Sequence, residues 1–231
     1  MPLYLVTDRR WLKEPLIQTV EKAIQGGVTC VQLREKHLDQ KYFVESARQL
    51  LSLCHQHHIP LIINDDVDVM ITVQADGVHV GQNDMDAKKV REMIGPDKIL
   101  GVSVRTVEQA LKAQQDGADY LGVGSIFVTH TKDDAKKVEI QTLKDICQAV
   151  DIPVIAIGGI GQNNLLQLKG TGIDGVAVVS AIMAQDDVFK AAQNLKEKLR
   201  RIFYENSFNN CRNGPNRRGW GTGRFKNIHG S

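Results

Sequence analysis

Thr129, Thr131 and Lys132 place two hydroxyls and an ammonium within four residues of one another, in the stretch THTKDD. Hydroxyls donate hydrogen bonds and lysine supplies a compact point charge, so the cluster suits a phosphate-bearing anion. An ordinary solvated loop has a similar composition. What sets this one apart is recurrence. Arg34 and Lys36 follow an apolar run over residues 28–33, Asn64 and Asp65 one over 60–63, and Gln82 and Asp84 one over 77–80. Ser103 follows residues 98–102, Gly158 and Gly159 follow 153–157, and Ser180 follows 175–179.

Each group has a specific reading and a plain one. Arg34, Lys36 and Lys132 could hold a pyrophosphate, with arginine acting as a fork and lysine as a point charge. They could equally form surface ion pairs with Glu35, Asp133 or Asp134. Gly158 and Gly159 let a backbone approach an anion closely, and with the VVSAI turn from Val178 they read as a phosphate cradle. They are also a plausible turn pair. Asp65 and Asp84 could converge on one hard cation, Mg2+, whose other ligands would be phosphate oxygens; each also precedes a helical segment and could be a cap. Asp66, Asp68 and Asp86 read as capping and surface acids. His79 reads as a hydrogen-bonded structural histidine facing opposite to Val78 and Val80, and His55, His57 and His58 as the close of a helix.

The elements that position these residues alternate. Short apolar runs at residues 3–7, 28–33, 60–63, 77–80, 98–102, 120–127, 153–157 and 175–179 are separated by segments of helical period. Continuous apolar strands between helices argue for a parallel sheet. Eight units in about 200 residues point to a closed (β/α)8 TIM barrel, a single domain over residues 1–203. A doubly wound open sheet is the alternative, weakened by the absence of G-x-G-x-x-G after the first run. In such a barrel the polar residues just past each strand share one rim, where active sites sit.

Composition narrows the class. The chain has 231 residues and a net charge of +2. Residues 206–231 hold five basic residues and no acidic one; without them 24 basic residues face 27 acidic ones, a net of −3. The barrel is therefore not a nucleic-acid binder by charge. Residues 204–231 are rich in Asn, Gly and Arg without period, and read as a disordered basic tail. No apolar run approaches about 20 residues, so no transmembrane helix is expected. No signal peptide is read at the start. Cys30, Cys54, Cys147 and Cys211 form no C-x-x-C pair; as reduced thiols they favour a cytoplasmic location.

Motifs over residues 3–203 resemble those of the thiamine-phosphate synthase (thiamine-phosphate pyrophosphorylase) family. They are LYLVTD from Leu3, QLREK from Gln32, INDD from Ile63, ADGVHVGQND from Ala75 and GVSVRT from Gly101. GSIFVTHTKDDA from Gly124, IAIGGI from Ile155 and GVAVVSAI from Gly175 complete the set. The resemblance implies a barrel transferase that joins hydroxymethylpyrimidine, delivered as its diphosphate, to 4-methyl-5-(2-phosphoethyl)thiazole. The products are thiamine phosphate and pyrophosphate. It implies Asp65 and Asp84 as Mg2+ ligands, and Gln32, Arg34, Lys36, Asn64 and Lys132 as the pyrimidine diphosphate site. Ser103 is similar to the serine beside the reacting pyrimidine. Thr129, Thr131, Gly159, Val179 and Ser180 resemble the thiazole phosphate site. Arg34, Ser103 and Lys132 are the implied catalytic set. The implied chemistry is dissociative: pyrophosphate leaves, a pyrimidine cation forms, and the thiazole nitrogen attacks it. The implied partners are these two small molecules, with no nucleic acid or membrane.

The chain departs from the family pattern at Ser125 and Val128, where proline is usual. The changes remove φ restraints and are expected to loosen the loop. Two other functions fit the same barrel. A thiazole tautomerase would share the thiazole phosphate site but typically lacks the metal carboxylates and the TKxDA loop. A non-catalytic regulator would bind a phosphorylated ligand without turning it over.

Overall fold

The computed structural model describes residues 3–36, 38–129 and 137–210, with residues 204–210 as backbone only. Eight parallel strands pair in chain order and close, so the expected (β/α)8 barrel is the fold. The strands are β1 (Leu3–Val6), β2 (Cys30–Leu33), β3 (Leu61–Asn64), β4 (Gly77–Val80), β5 (Ile99–Val104), β6 (Tyr120–Val123), β7 (Val154–Ile157) and β8 (Gly175–Val178). Closure is direct: Leu3, Tyr4 and Leu5 of β1 stand opposite Val176, Ala177 and Val178 of β8.

Side chains alternate across each strand, and that alternation sorts the core into two regions. Leu3, Leu5, Val31, Leu33, Leu61, Ile63, Val78, Val80, Leu100 and Val102 face outward and pack beneath the helices. Tyr4, Val6, Cys30, Ile62, Ile99, Tyr120, Ile155 and Ala177 pack on one another inside the barrel. The outer layer is α1 (Leu16–Gly26), α2 (Gln40–Gln56), α3 (Val67–Val73), α4 (Ala87–Ile94), α5 (Val107–Gln115), α6 (Ile140–Ala149), α7 (Ser180–Met183) and α8 (Val188–Asn210). Asp39, Asp66, Asp86 and Thr106 cap α2 to α5 through side-chain bonds to backbone N–H groups. No helix among the described residues is long and apolar enough to cross a membrane.

Several boundaries differ from expectation. β2 starts at Cys30, not at residue 28, and Asn64 and Ser103 lie within β3 and β5, not past them, because pairing with the neighbouring strands continues through both residues. β6 ends at Val123, not at residue 127, because the chain turns at Gly124 against β7; a Cβ there would stand 2.1 Å from the Ile157 carbonyl oxygen. Ser180 opens the short helix α7 where only a turn was expected. The helical backbone of α8 continues to Asn210, past the expected stop at Phe203, with no Gly or Pro to interrupt it before Gly214.

At the N-terminal face, one aspartate before each of β4, β6 and β8 clasps the strand before it. Asp76, Asp119 and Asp174 each accept a hydrogen bond of 2.8 Å from the backbone N–H of Leu61, Leu100 and Val154. Each also donates its own N–H to the carbonyl of that same residue, at 3.2, 2.8 and 2.8 Å respectively. Asp119 further pairs with Arg91 at 2.6 Å, both side chains being largely buried. Asp119→Ala removes the clasp and leaves a guanidinium without its carboxylate, a loss of about 3 kcal/mol. Thermal unfolding is expected to show a melting temperature lower by roughly 6–12 °C. Turnover of the folded fraction is unchanged, because this face lies opposite the site.

Candidate active site

The period of two that builds the core also builds the site. On β2, Cys30 faces inward, so Gln32 and then Arg34 continue on the same side toward the C-terminal end. The same count puts Asn64 after Ile62, His79 after Gly77, and Ser103 and Arg105 after Ile99 and Gly101. It puts Gly122 and Gly124 after Tyr120, Gly159 after Ile155 and Ile157, and Val179 after Ala177. All of these line one cavity at the C-terminal mouth, together with Thr129, Gly158, Ile160 and Ser180. Its space of about 1060 Å³ includes open solvent at the mouth.

One wall of the mouth is cationic. The Arg34 side chain is only 10% exposed. Its backbone N–H donates to Thr7 Oγ1 at 3.0 Å, and Nη1 donates to Asp8 Oδ2 at 3.3 Å. Its Nε is buried and has no hydrogen-bond partner among the described residues. A buried donor left unmade is costly, so its natural complement is a ligand oxygen. Arg10 holds Asp8 from the other side, with Nη2 at 2.6 Å from Oδ2. Burial alone would raise the Asp8 pKa, but the hydrogen bonds and charge of Arg10 and then Arg34 outweigh it and hold the carboxyl below its ordinary value. Asp8 therefore stays ionised at neutral pH and fixes the guanidinium; the pairing weakens only as acidification passes that lowered pKa. Asp8→Asn is expected to raise the KM for a diphosphate ligand about fivefold, roughly one weakened hydrogen bond, with a smaller change in kcat. Steady-state kinetics with the diphosphate varied would show it.

Ion pairing of Arg34 or Lys36 with Glu35 does not occur. Glu35 turns to Arg9, whose Nε lies 2.8 Å from Oε1, while Lys36 Nζ stands 3.5 Å from Asp65 Oδ2. Helix capping by Asp65 or Asp84 does not occur either. The cap of α3 is Asp66, through the N–H of Val69, and the cap of α4 is Asp86, through Lys88 and Lys89. Asp65 instead has a left-handed backbone, φ +64°, and its N–H donates to the His79 carbonyl at 2.8 Å, which sets it beside the end of β4. Asp84 accepts the Gly81 N–H with Oδ2 at 2.7 Å. Asp65 and Asp84 follow adjacent strands and neither caps a helix, so as hard oxygen donors they are the residues that could take part in holding Mg2+; with Lys36, they are not among the residues that line the cavity.

The opposite wall is backbone. Gly158 and Gly159 have φ +97° and +64°, which side-chain-bearing residues rarely adopt. Close packing adds a second reason for glycine at both: a Cβ would lie 2.1 Å from Ser125 Oγ at Gly158 and 2.4 Å from the Val128 carbonyl oxygen at Gly159. Ser125, buried where proline is usual, donates to the Phe127 carbonyl at 2.7 Å, so a hydrogen bond ties the loop where the ring restraint is missing. Val128 is 82% exposed. Thr131 and Lys132 lie outside the described residues.

Tyr4 and Tyr120 are residues of the cavity wall that motif reading missed, and His79 is the hydrogen-bonded histidine that was expected. Gln32 Nε2 donates to Tyr4 Oη at 3.0 Å, and Tyr4 Oη and Tyr120 Oη are 2.8 Å apart. Tyr120 Oη lies 2.9 Å from His79 Nδ1, and His79 Nε2 lies 2.8 Å from Ser103 Oγ. The available signal was Gly101 and Gly122 within strand-like runs. A Cβ at Gly101 would stand 2.2 Å from the Tyr120 ring and 2.4 Å from His79 Nδ1. Glycine inside a strand marks such a close approach. Among the described residues cysteine chemistry has no support; Cys211 lies outside them. Cys30, Cys54 and Cys147 are buried, and burial, with the nearby Asp76, pushes the Cys54 thiol up to about 12.

A parallel (β/α)8 barrel with cations and carboxylates on one side of its C-terminal mouth and glycine backbone on the other is a phosphate-handling barrel. The model of the thiamine monophosphate synthase family matches residues 3–182. A thiamine-phosphate synthase of Clostridium tetani is 55% identical over 194 residues, 84% of this chain and 93% of that protein. One from Ruminiclostridium cellulolyticum is 52% identical over 196 residues, 84% of this chain and 93% of its own. The solved thiamine phosphate pyrophosphorylase from Pyrococcus furiosus superposes with a TM-score of 0.81 at 39% identity, covering 87% of this chain and 96% of that one. The chain belongs to the thiamine monophosphate synthase family.

Proposed function

We propose that this enzyme joins hydroxymethylpyrimidine, from its diphosphate, to 4-methyl-5-(2-phosphoethyl)thiazole, releasing pyrophosphate and forming thiamine phosphate. The observation that carries the reading is that Arg34, whose buried Nε has no hydrogen-bond partner among the described residues, lines the same cavity as Gly158 and Gly159. Two anion-binding regions share one mouth, as a reaction between two phosphorylated substrates requires.

The steps follow from the residues. Arg34, held by Asp8, and Lys36 bind the diphosphate, and charge-assisted hydrogen bonds to it strengthen as the leaving group gains charge. Asp65 and Asp84 would hold Mg2+, which when bound neutralises the departing pyrophosphate. Gln32, Asn64 and Ser103 hold the pyrimidine. Thr129 and the backbone of Gly159, Val179 and Ser180 hold the thiazole phosphate, which sets the thiazole nitrogen against the pyrimidine methylene. Lys132 is assigned to the diphosphate and Thr131 to the thiazole phosphate, on the motif alone. The bond from the methylene carbon to pyrophosphate breaks and its electron pair leaves with pyrophosphate, while the nitrogen lone pair forms the new bond to carbon and leaves the positive charge on the thiazolium nitrogen. No side-chain nucleophile takes part. Asp65 and Asp84 favour this reading over a thiazole tautomerase. The reduced buried cysteines fit a cytoplasmic enzyme.

Calorimetry tests the two-site reading. The pyrimidine diphosphate with Mg2+ is expected to bind one per chain, and thiazole phosphate to bind one per chain again on the complex with pyrophosphate. Thiazole phosphate binding with no diphosphate binding would replace the synthase by the tautomerase. The catalytic unit is assigned to residues 1–203, and residues 204–231 are given no part in the reaction. Removal of residues 211–231 is accordingly expected to leave kcat/KM within about twofold, the spread ordinary for a change away from the site.

A further inference from the structure

The interior chain that runs from Gln32 to Ser103 begins and ends at the cavity, and its hydrogen-bond direction can be worked out. Tyr4 and Tyr120 are buried, and burial pushes both phenols well above their ordinary pKa; the charge of Cys30 adds to this at both, and that of Tyr120 adds to it at Tyr4. Each therefore keeps one proton to give. Gln32 Nε2 is a donor only, so Tyr4 Oη accepts from it and must send its own proton elsewhere. Tyr120 Oη, at 2.8 Å, is the oxygen in place to accept it. The opposite direction would leave the buried Tyr4 proton only the Cys30 sulfur, a weak acceptor. Tyr120 then has one proton left, for His79 Nδ1 at 2.9 Å. With Nδ1 accepting, a neutral imidazole carries its proton on Nε2, which faces Ser103 Oγ at 2.8 Å. Ser103 Oγ accepts that bond, and its own hydrogen is left for a ligand, since it makes no other side-chain hydrogen bond among the described residues. Nearby, Gln82 Nε2 holds the Ser103 carbonyl at 2.8 Å, fixing the backbone that carries the hydroxyl.

We propose that His79 is a positioning residue. Held as the Nε2–H tautomer by the one-way chain Gln32, Tyr4, Tyr120, it donates to Ser103 Oγ and makes the serine hydroxyl a fixed donor to an acceptor atom of the bound pyrimidine. The inference rests on the pyrimidine reading of the site, and adds two phenols and an imidazole that link Gln32 to Ser103 along the cavity wall. Both ends of the chain meet the same ligand, so a pyrimidine contacting Gln32 is matched to a serine already turned to donate. A pyrimidine analogue lacking the acceptor atom would leave the Ser103 proton unpaired, which gives the chain a role in selectivity.

The test has two arms. Protein labelled with 15N-histidine, with the His79 signals identified by their loss in His79→Asn, reports the tautomer directly. The expected result for the unliganded wild type near neutral pH is a proton on Nε2 and a bare Nδ1; a proton on Nδ1 overturns the proposal. Kinetics supply the second arm. Tyr120→Phe keeps the ring and removes only the donor to Nδ1. It is expected to lower kcat about tenfold with KM for either substrate within about twofold, the effect of one hydrogen bond felt mainly in the transition state. In a Ser103→Ala background the same change is expected to have less than a twofold effect. An equal loss in both backgrounds would show that the phenol acts by some route other than Ser103, and overturns the proposal. A wild-type enzyme that makes no thiamine phosphate would overturn the reaction reading alone, and the tautomer would still decide for or against the chain.

Discussion

Arg34→Ala is expected to lower kcat/KM for the pyrimidine diphosphate by about three orders of magnitude, from loss of two charge-assisted hydrogen bonds at roughly 1.5–3 kcal/mol each. Two features of the structure place the effect on catalysis and not on folding. The guanidinium is 10% exposed yet its Nε has no partner among the described residues, so that donor contributes little to the unliganded protein. Asp8, which Arg34 also contacts, keeps Arg10 at 2.6 Å, so its carboxylate is not orphaned by the substitution. Steady-state kinetics beside a thermal melt separate the two. Arg34→Lys is expected to recover only part of the loss, because an ammonium keeps the charge but not the fork. A rate within tenfold of wild type for Arg34→Ala would remove the residue from the diphosphate site.

Asp84→Asn is expected to lower turnover by about a hundredfold and to raise the Mg2+ concentration for half-maximal rate at least tenfold, since a neutral amide is a poor ligand for a hard cation. Asparagine is the informative replacement. It keeps an oxygen for the Gly81 N–H, which Asp84 now holds at 2.7 Å, so the loop after β4 stays tied while the charge is lost. Asp86, two residues on, provides the contrast. It caps α4, so Asp86→Ala is expected to cost about 1 kcal/mol of stability and to leave turnover and Mg2+ dependence unchanged. Rates measured across a Mg2+ titration, with melting curves for both variants, check the pair. If Asp84→Asn needs no more Mg2+ than wild type, its carboxylate is not a metal ligand.

The rim was readable in the sequence because chemistry changes abruptly where each strand stops. QLREK and INDD place polar residues on one side of the sheet by counting alone. Gln32, Arg34, Asn64, Ser103, Thr129, Gly159, Val179 and Ser180 all line the cavity. The carboxylates were ambiguous for a physical reason: in both Asp65-Asp66 and Asp84-x-Asp86 one acid caps a helix and another does not, and composition cannot say which. The backbone decides, with Asp65 at φ +64° and the cap passed to Asp66. The interior chain was hidden because Tyr4 and Tyr120 sit in apolar runs and read as ordinary core. Only their partners show that the phenol oxygens meet each other and His79. Glycine pairs misled in part. Gly158 and Gly159 carry the φ and the close approach expected of a cradle, but packing against Ser125 and Val128 would demand them anyway.

Product formation is the most direct test of the synthase. Purified protein is incubated with hydroxymethylpyrimidine diphosphate, thiazole phosphate and Mg2+, and the product is oxidised to its fluorescent thiochrome derivative, with parallel samples lacking either substrate or containing EDTA. The expected result is thiamine phosphate only when both substrates and Mg2+ are present. Folded protein that binds thiazole phosphate but forms no product, whatever the metal, would contradict the synthase reading.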